Sequence, residues 1–117
     1  MNKRMVLVGL ALAAVVGVVG APVFQSVAVA GNEHVAEALA EAKQAVEHGK
    51  AGHGDVLVKH AESALMHAKG AQEHMKDMHL AEGIKELGEA VTHGKAGHAD
   101  VATKHAEEAV KHLSEVK

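Results

Sequence analysis

Eleven histidines stand at positions 34, 48, 53, 60, 67, 74, 79, 93, 98, 105 and 112, so their intervals read 14, 5, 7, 7, 7, 5, 14, 5, 7, 7. Seven residues are almost two α-helical turns, and histidines spaced by seven or fourteen therefore line up along one side of a helix. Where an interval of fourteen skips a rung, Glu41 and Glu86 occupy it. The result is a stripe of imidazole and carboxylate, a donor set suited to Cu(II), Ni(II) and Zn(II), with affinity expected to peak at copper. A single surface histidine is an ordinary solvated residue. Eleven at a fixed phase point to metal ions as the partner.

One stripe cannot chelate by itself. Residues seven apart rise about 10.5 Å along a helix, too far for two imidazoles that must each reach to about 2 Å from one ion. A second contributor can be a carboxylate three residues on, as in His34 with Glu37, His79 with Glu82, His105 with Glu108 and His112 with Glu115. It can also be a neighbouring helix. Folding each half back on itself brings His48 to His53, Glu41 to His60 and His34 to His67, and likewise His93 to His98, Glu86 to His105 and His79 to His112. Several partial sites completed by water are expected, rather than one closed cage. Met75 and Met78, in "HMKDMH", could tolerate Cu(I), although core packing is the plainer role for a methionine.

Catalytic patterns are missing. The chain contains no Glu-x-x-His for a di-iron bundle and no His-Glu-x-x-His for a zinc protease, and "HGKAGH" lacks the ending of a phosphate loop. No enzyme is expected. With no cysteine there is no disulfide, thiolate site or covalent haem attachment.

The elements that must position the histidines are helices. Residues 45–69 align without gaps on residues 90–114 with 16 of 25 positions identical, so the chain is a tandem duplication. Apolar residues recur at three and four spacings: Val35, Leu39, Ala42, Val46; Leu57, Ala61, Leu65, Ala68; Leu80, Ile84, Leu87, Val91; Ala102, Ala106, Ala109, Leu113, Val116. Gly49 and Gly94 are expected just past helix ends, Gly52 and Gly97 just before the next starts, Asp55 and Asp100 in first turns, and Asp77 as an N-cap. Two duplicated helical hairpins then give an all-α, up-down-up-down antiparallel four-helix bundle over residues 31–117. A single chain can close it, so a monomer is expected; hairpins paired between two chains are the alternative. By helical phase the histidine stripe lies beside the apolar face, at the edge of the core.

Residues 1–30 read as a secretory signal peptide. Lys3 and Arg4 precede an uncharged run from Met5 to Phe24, and Ala28-Val29-Ala30 forms a small-x-small cleavage pattern; an uncleaved anchor is the competing reading. Cleavage after Ala30 leaves fifteen carboxylates against ten lysines and no Phe, Tyr or Trp. That balance provides neither a phosphate footprint nor a stacking platform, so nucleic acid is not an expected partner. The processed form is expected in the periplasm, free of the membrane.

With "AVEHGKAGH", "KHAESALMHAK", "AVTHGKAGH" and "VATKHAEEAVKHL", the chain resembles the small metal-binding protein family of exported, histidine-rich four-helix bundles associated with copper. The resemblance implies several divalent ions held by His34, His48, His53, His60, His67, His79, His93, His98, His105 and His112, with His74 in the middle connection beside them. The family's repeat would also place histidine at 41 and 86, where this chain has glutamate, and would add a histidine-rich tail that is not seen after Lys117.

The expected function is a periplasmic buffer or scavenger of copper foremost, and of nickel or zinc. The alternative is a structural or interaction module in which the histidines act as a pH switch for association, without metal. It requires the oligomeric state to change between about pH 5 and 7.5 in excess chelator, so unchanged sedimentation would remove it.

Overall fold

The structure is a computed structural model and describes residues 23–117. Four α-helices account for most of them: α1 (Val23–Lys50), α2 (Gly54–Gln72), α3 (Met78–Lys95) and α4 (Ala99–Ser114). Successive helices pack side by side, and α4 closes the ring against α1, which makes the up-down-up-down bundle expected from the duplication. The run that reads as a signal peptide lies outside the described residues up to position 22. Its small-residue pattern, Ala28 to Ala30, falls within α1. Among the described residues no helix is long and apolar enough to cross a membrane.

The buried line of the bundle is alanine. Ala38, Ala42, Ala64, Ala68, Ala71 and Ala109 join Leu80, Leu87 and Leu113 in one cluster, while Ala45, Ala61, Ala90, Ala102 and Ala106 join Leu57 and Val58 in the other. Val35, Leu39, Leu65, Ile84 and Val116 are only partly buried against the first cluster, and Val46 and Val91 against the second. The expected stripes are thus rotated slightly. Small side chains sit on the bundle axis, where the helices approach closely, and larger aliphatics flank them.

The two "HGKAGH" turns are built alike. Gly52 and Gly97 adopt φ of 83° and 85°, the left-handed region open to glycine at little cost. The N–H of His53 donates to the His48 carbonyl at 2.8 Å and that of Gly52 to the Gly49 carbonyl at 3.1 Å; His98 to His93 (2.9 Å) and Gly97 to Gly94 (3.1 Å) repeat the pattern. Together with the left-handed glycine, this is a Schellman closure. Its two defining positions are the two histidines, so the interval of five in the ladder is the span of the motif.

Gly49 and Gly94 lie inside α1 and α3, not beyond their ends. They are holes for the other hairpin. A Cβ on Gly49 would collide with Thr103 of α4 and come within 2.6 Å of Leu57 Cδ1, and one on Gly94 would come within 2.5 Å of Val58 Cγ2. Thr103 and Val58 are equivalent in the duplication, so the two hairpins dock on each other by the same contact used twice.

Asp77 caps α3 as expected. Its Oδ1 accepts from the N–H groups of His79 (2.7 Å) and Leu80 (3.1 Å), and its Oδ2 accepts from the N–H of Lys117 (3.2 Å). These donors, the Lys117 amide foremost, hold its carboxyl below the ordinary value of 3.8. A carboxyl depressed on folding stabilises the fold above its unfolded pKa and stops doing so as pH falls through the lower folded value. The amides of His79 and Leu80 are therefore expected to lose exchange protection in that acidic window. In Asp77→Asn the loss should no longer follow carboxyl protonation, as read by NMR titration of those two amides.

Candidate metal centre

Apart from His74, which lies in the link between α2 and α3, the histidines lie where the ladder predicts, on the facing sides of the two helices of each hairpin and at its turn. Eight of the eleven are half-buried; His53, His74 and His98 are exposed. All six expected pairings across the hairpins occur. His48 and His53 have ring centroids 5.9 Å apart, and His93 and His98 6.0 Å apart. His34 and His67 lie 5.7 Å apart, as do His79 and His112. Between these, Nδ1 of His60 donates to Glu41 Oε2 at 2.8 Å and Nδ1 of His105 to Glu86 Oε2 at 2.7 Å. Beyond the expected pairs, His60 stacks on His48 at 5.2 Å and His105 on His93 at 5.3 Å, which joins the rungs at each turn into a row of three imidazoles.

Two kinds of contact must be separated. Two nitrogens about 2 Å from one tetrahedral ion lie roughly 3.3 Å apart. Nδ1 of His79 is 3.5 Å from Nδ1 of His112 and 3.5 Å from Oε1 of Glu115, close to that separation. By contrast, Glu41 and Glu86 hydrogen-bond the Nδ1 atoms of their imidazoles. A carboxylate only accepts, so these Nδ1 atoms carry the proton and, in the neutral ring, Nε2 keeps the lone pair. Such carboxylates fix the ring and its tautomer so that Nε2 can meet an ion. Removing the acceptor in Glu41→Ala is expected to weaken Cu(II) binding at the first turn by about 10- to 100-fold, and Glu41→Gln, which retains an oxygen, by less. Stepwise calorimetric titration would measure both.

Among the described residues, three groups present ligand atoms within 4.8 Å of one another: His34, Glu37 and His67; His79, His112 and Glu115; Glu89, His93 and His105. Glu89 is absent from the sequence-derived set. Its Oε2 lies 3.6 Å from His93 Nε2, one turn earlier on α3, a spacing of four that looking only three residues forward overlooks. Two expected partners are not brought in. Glu108 bonds Lys111 Nζ at 3.0 Å instead of joining His105, and the carboxylate beside His79 is Glu115, reaching across from the end of α4, rather than the exposed Glu82. Met75 packs against the larger core cluster, as the plainer role for a methionine requires, and Met78 is 82% exposed at the start of α3.

The donor set fits a borderline divalent ion: imidazole nitrogen with carboxylate oxygen and no thiolate. The buried Nδ1 of His34, which has no hydrogen-bond partner, is a further sign of fit. Fold and site together define a histidine-lined four-helix bundle with clustered metal-ligand groups. The profile of the small metal-binding protein family matches residues 8–116, nearly the whole chain, and the chain belongs to that family. A comparison with curated proteins finds no match.

Proposed function

We propose that this protein is a metal buffer or scavenger of the periplasm, holding Cu(II) foremost, and Ni(II) or Zn(II), at several labile histidine and carboxylate sites. One observation carries the reading: groups of converging imidazoles and carboxylates occur in both hairpins, at places the duplication makes equivalent. Multiplicity and partial solvent access suit storage and exchange of ions better than a single tuned centre. Copper is favoured because imidazole affinity for divalent metals is greatest there. Export is supported by Lys3, Arg4, the uncharged run after them and the Ala28-Val29-Ala30 pattern.

A binding role rather than an enzymatic one also agrees with the surface. The apolar groove between α1 and α4, lined by Lys43, Val46, Glu47, Glu107, Val110 and Lys111, carries no histidine. Ions and apolar substrates would therefore not meet there. The test is calorimetric titration of the protein with Cu(II) at neutral pH, joined to elemental analysis of protein isolated without a metal-affinity step. Binding of several equivalents, declining as acid protonates the imidazoles, is expected. Retention of less than one equivalent of Cu(II) after dialysis sinks the proposal.

A further inference from the structure

The open end of the first hairpin departs from its duplicate in ways that converge on His34. The Nδ1 of this histidine is buried and unpartnered, and an unpaired buried polar atom is costly unless something is meant to meet it. Position 70, equivalent to Glu115 in the second half, is glycine, and the His34 ring lies over it: a Cβ there would approach His34 Nε2 and Cδ2 to 3.3 Å. A third imidazole stands beside His34 from outside the helices, and a turn of its ring would bring its nitrogen to those of His34 and His67. His74, in the link between α2 and α3, lies parallel to His34, with centroids 6.4 Å apart and planes 3° from parallel, while His67 of α2 flanks the same ring at 5.7 Å.

We propose that His34, His67 and His74 form one three-imidazole site for Cu(II) or a similar divalent ion, and that loading it fastens the link between the hairpins to the first helix. This inference rests on the metal-binding reading above. The three nitrogen donors come from α1, α2 and the link, whereas the ligand groups of each turn come from the two helices of a single hairpin and the turn itself. Glu37, with Oε2 2.8 Å from His67 Nδ1, adds a carboxylate beside the rings of His34 and His67. In the free protein the link is held by short-range amide bonds, Glu73 to the Gly70 carbonyl and His74 and Met75 to that of Ala71, and by Met75, which packs on the core beside Gly31, while the His74 ring itself makes no hydrogen bond. The exposed His74 ring can turn on its own side-chain bonds without disturbing the core. An ion bound there adds a constraint that the sequence of α2 and α3 does not supply.

Amide exchange of the full-length protein, followed by mass spectrometry on a peptide spanning residues 72–78 with and without saturating Cu(II), tests this. An opening that must release the ion slows by about a hundredfold when free metal is a hundred times Kd. That slowing is expected in the wild type and in His53→Ala, which removes an exposed turn histidine. It should be lost in His74→Ala, whose exposed side chain the fold does not need, and in His34→Ala. Equal slowing in His74→Ala and His53→Ala, or none in a wild type that binds Cu(II), overturns the inference while leaving metal storage standing. A wild type that binds no Cu(II) overturns both.

Discussion

Saturation with Cu(II) is expected to raise the midpoint of thermal unfolding by about 10–20 °C for each site that only the folded chain presents, and a chelator should reverse it. The magnitude follows from linkage. A ligand that binds only the native state at a hundredfold excess over Kd stabilises it by about 2.7 kcal/mol, and in a domain of this size each kcal/mol is worth roughly 4–8 °C. The premise is geometric. The imidazoles that converge in each hairpin belong to different helices or to opposite sides of a turn, so the unfolded chain does not hold them together. A bundle with an alanine core and no disulfide has little stability of its own, which makes the shift large relative to its baseline. Calorimetry with and without metal would decide it. An unchanged midpoint at saturation would mean that folded and unfolded chains bind copper equally, and that the clusters are not preorganised.

Gly49→Ala is expected to destabilise the metal-free protein by about 1–3 kcal/mol, the range for forcing atoms into a filled space. The new methyl would meet Thr103 and Leu57, and α1 and α4 could separate only by opening the core between them. Gly52→Ala, three residues on, provides the contrast. Nothing lies within 4 Å of a Cβ there, so its cost is the left-handed backbone alone, about 1 kcal/mol. The two variants should also fail differently. Gly49→Ala should loosen the docking of the hairpins, whereas Gly52→Ala should fray the turn and with it the pairing of His48 with His53. Urea unfolding gives the two energies, and exchange at the His53 amide, bonded to the His48 carbonyl, reports on the turn. Equal disruption of the turn by both would contradict the separate roles of these glycines.

Much of the architecture follows from periodicity. A duplicated unit with two helical stripes and a five-residue corner leaves few ways to pack, and the pairs across each hairpin follow from folding the chain at that corner. His79 meets His112, and Glu86 meets His105, because each pair is symmetric about the turn. Phase was less legible at the level of a single helix face. Hydrophobicity ranks Val35, Leu39 and Ile84 above alanine, yet tight axial packing buries Ala38, Ala45 and Ala64 more completely. The carboxylates were least legible, since a flexible glutamate chooses among neighbours. Glu108 turns to a lysine, Glu115 reaches another helix, and Glu89 joins His93 from a position where the first half has Gln44. The contact of His74 with His34 depends on the path of an irregular link, which no period encodes.

The alanine interior has a meaning beyond packing. Helix axes approach to about 8 Å only when the residues between them are small, and separate toward 10 Å when they are large. An imidazole on the flank of one helix has a fixed reach, so the distance between opposed rings is set by what lies beneath them. The core of this bundle is therefore a spacer as well as a source of stability. Its methyl groups calibrate the grooves, and a larger side chain anywhere along that line would widen the gap that the histidines above must span.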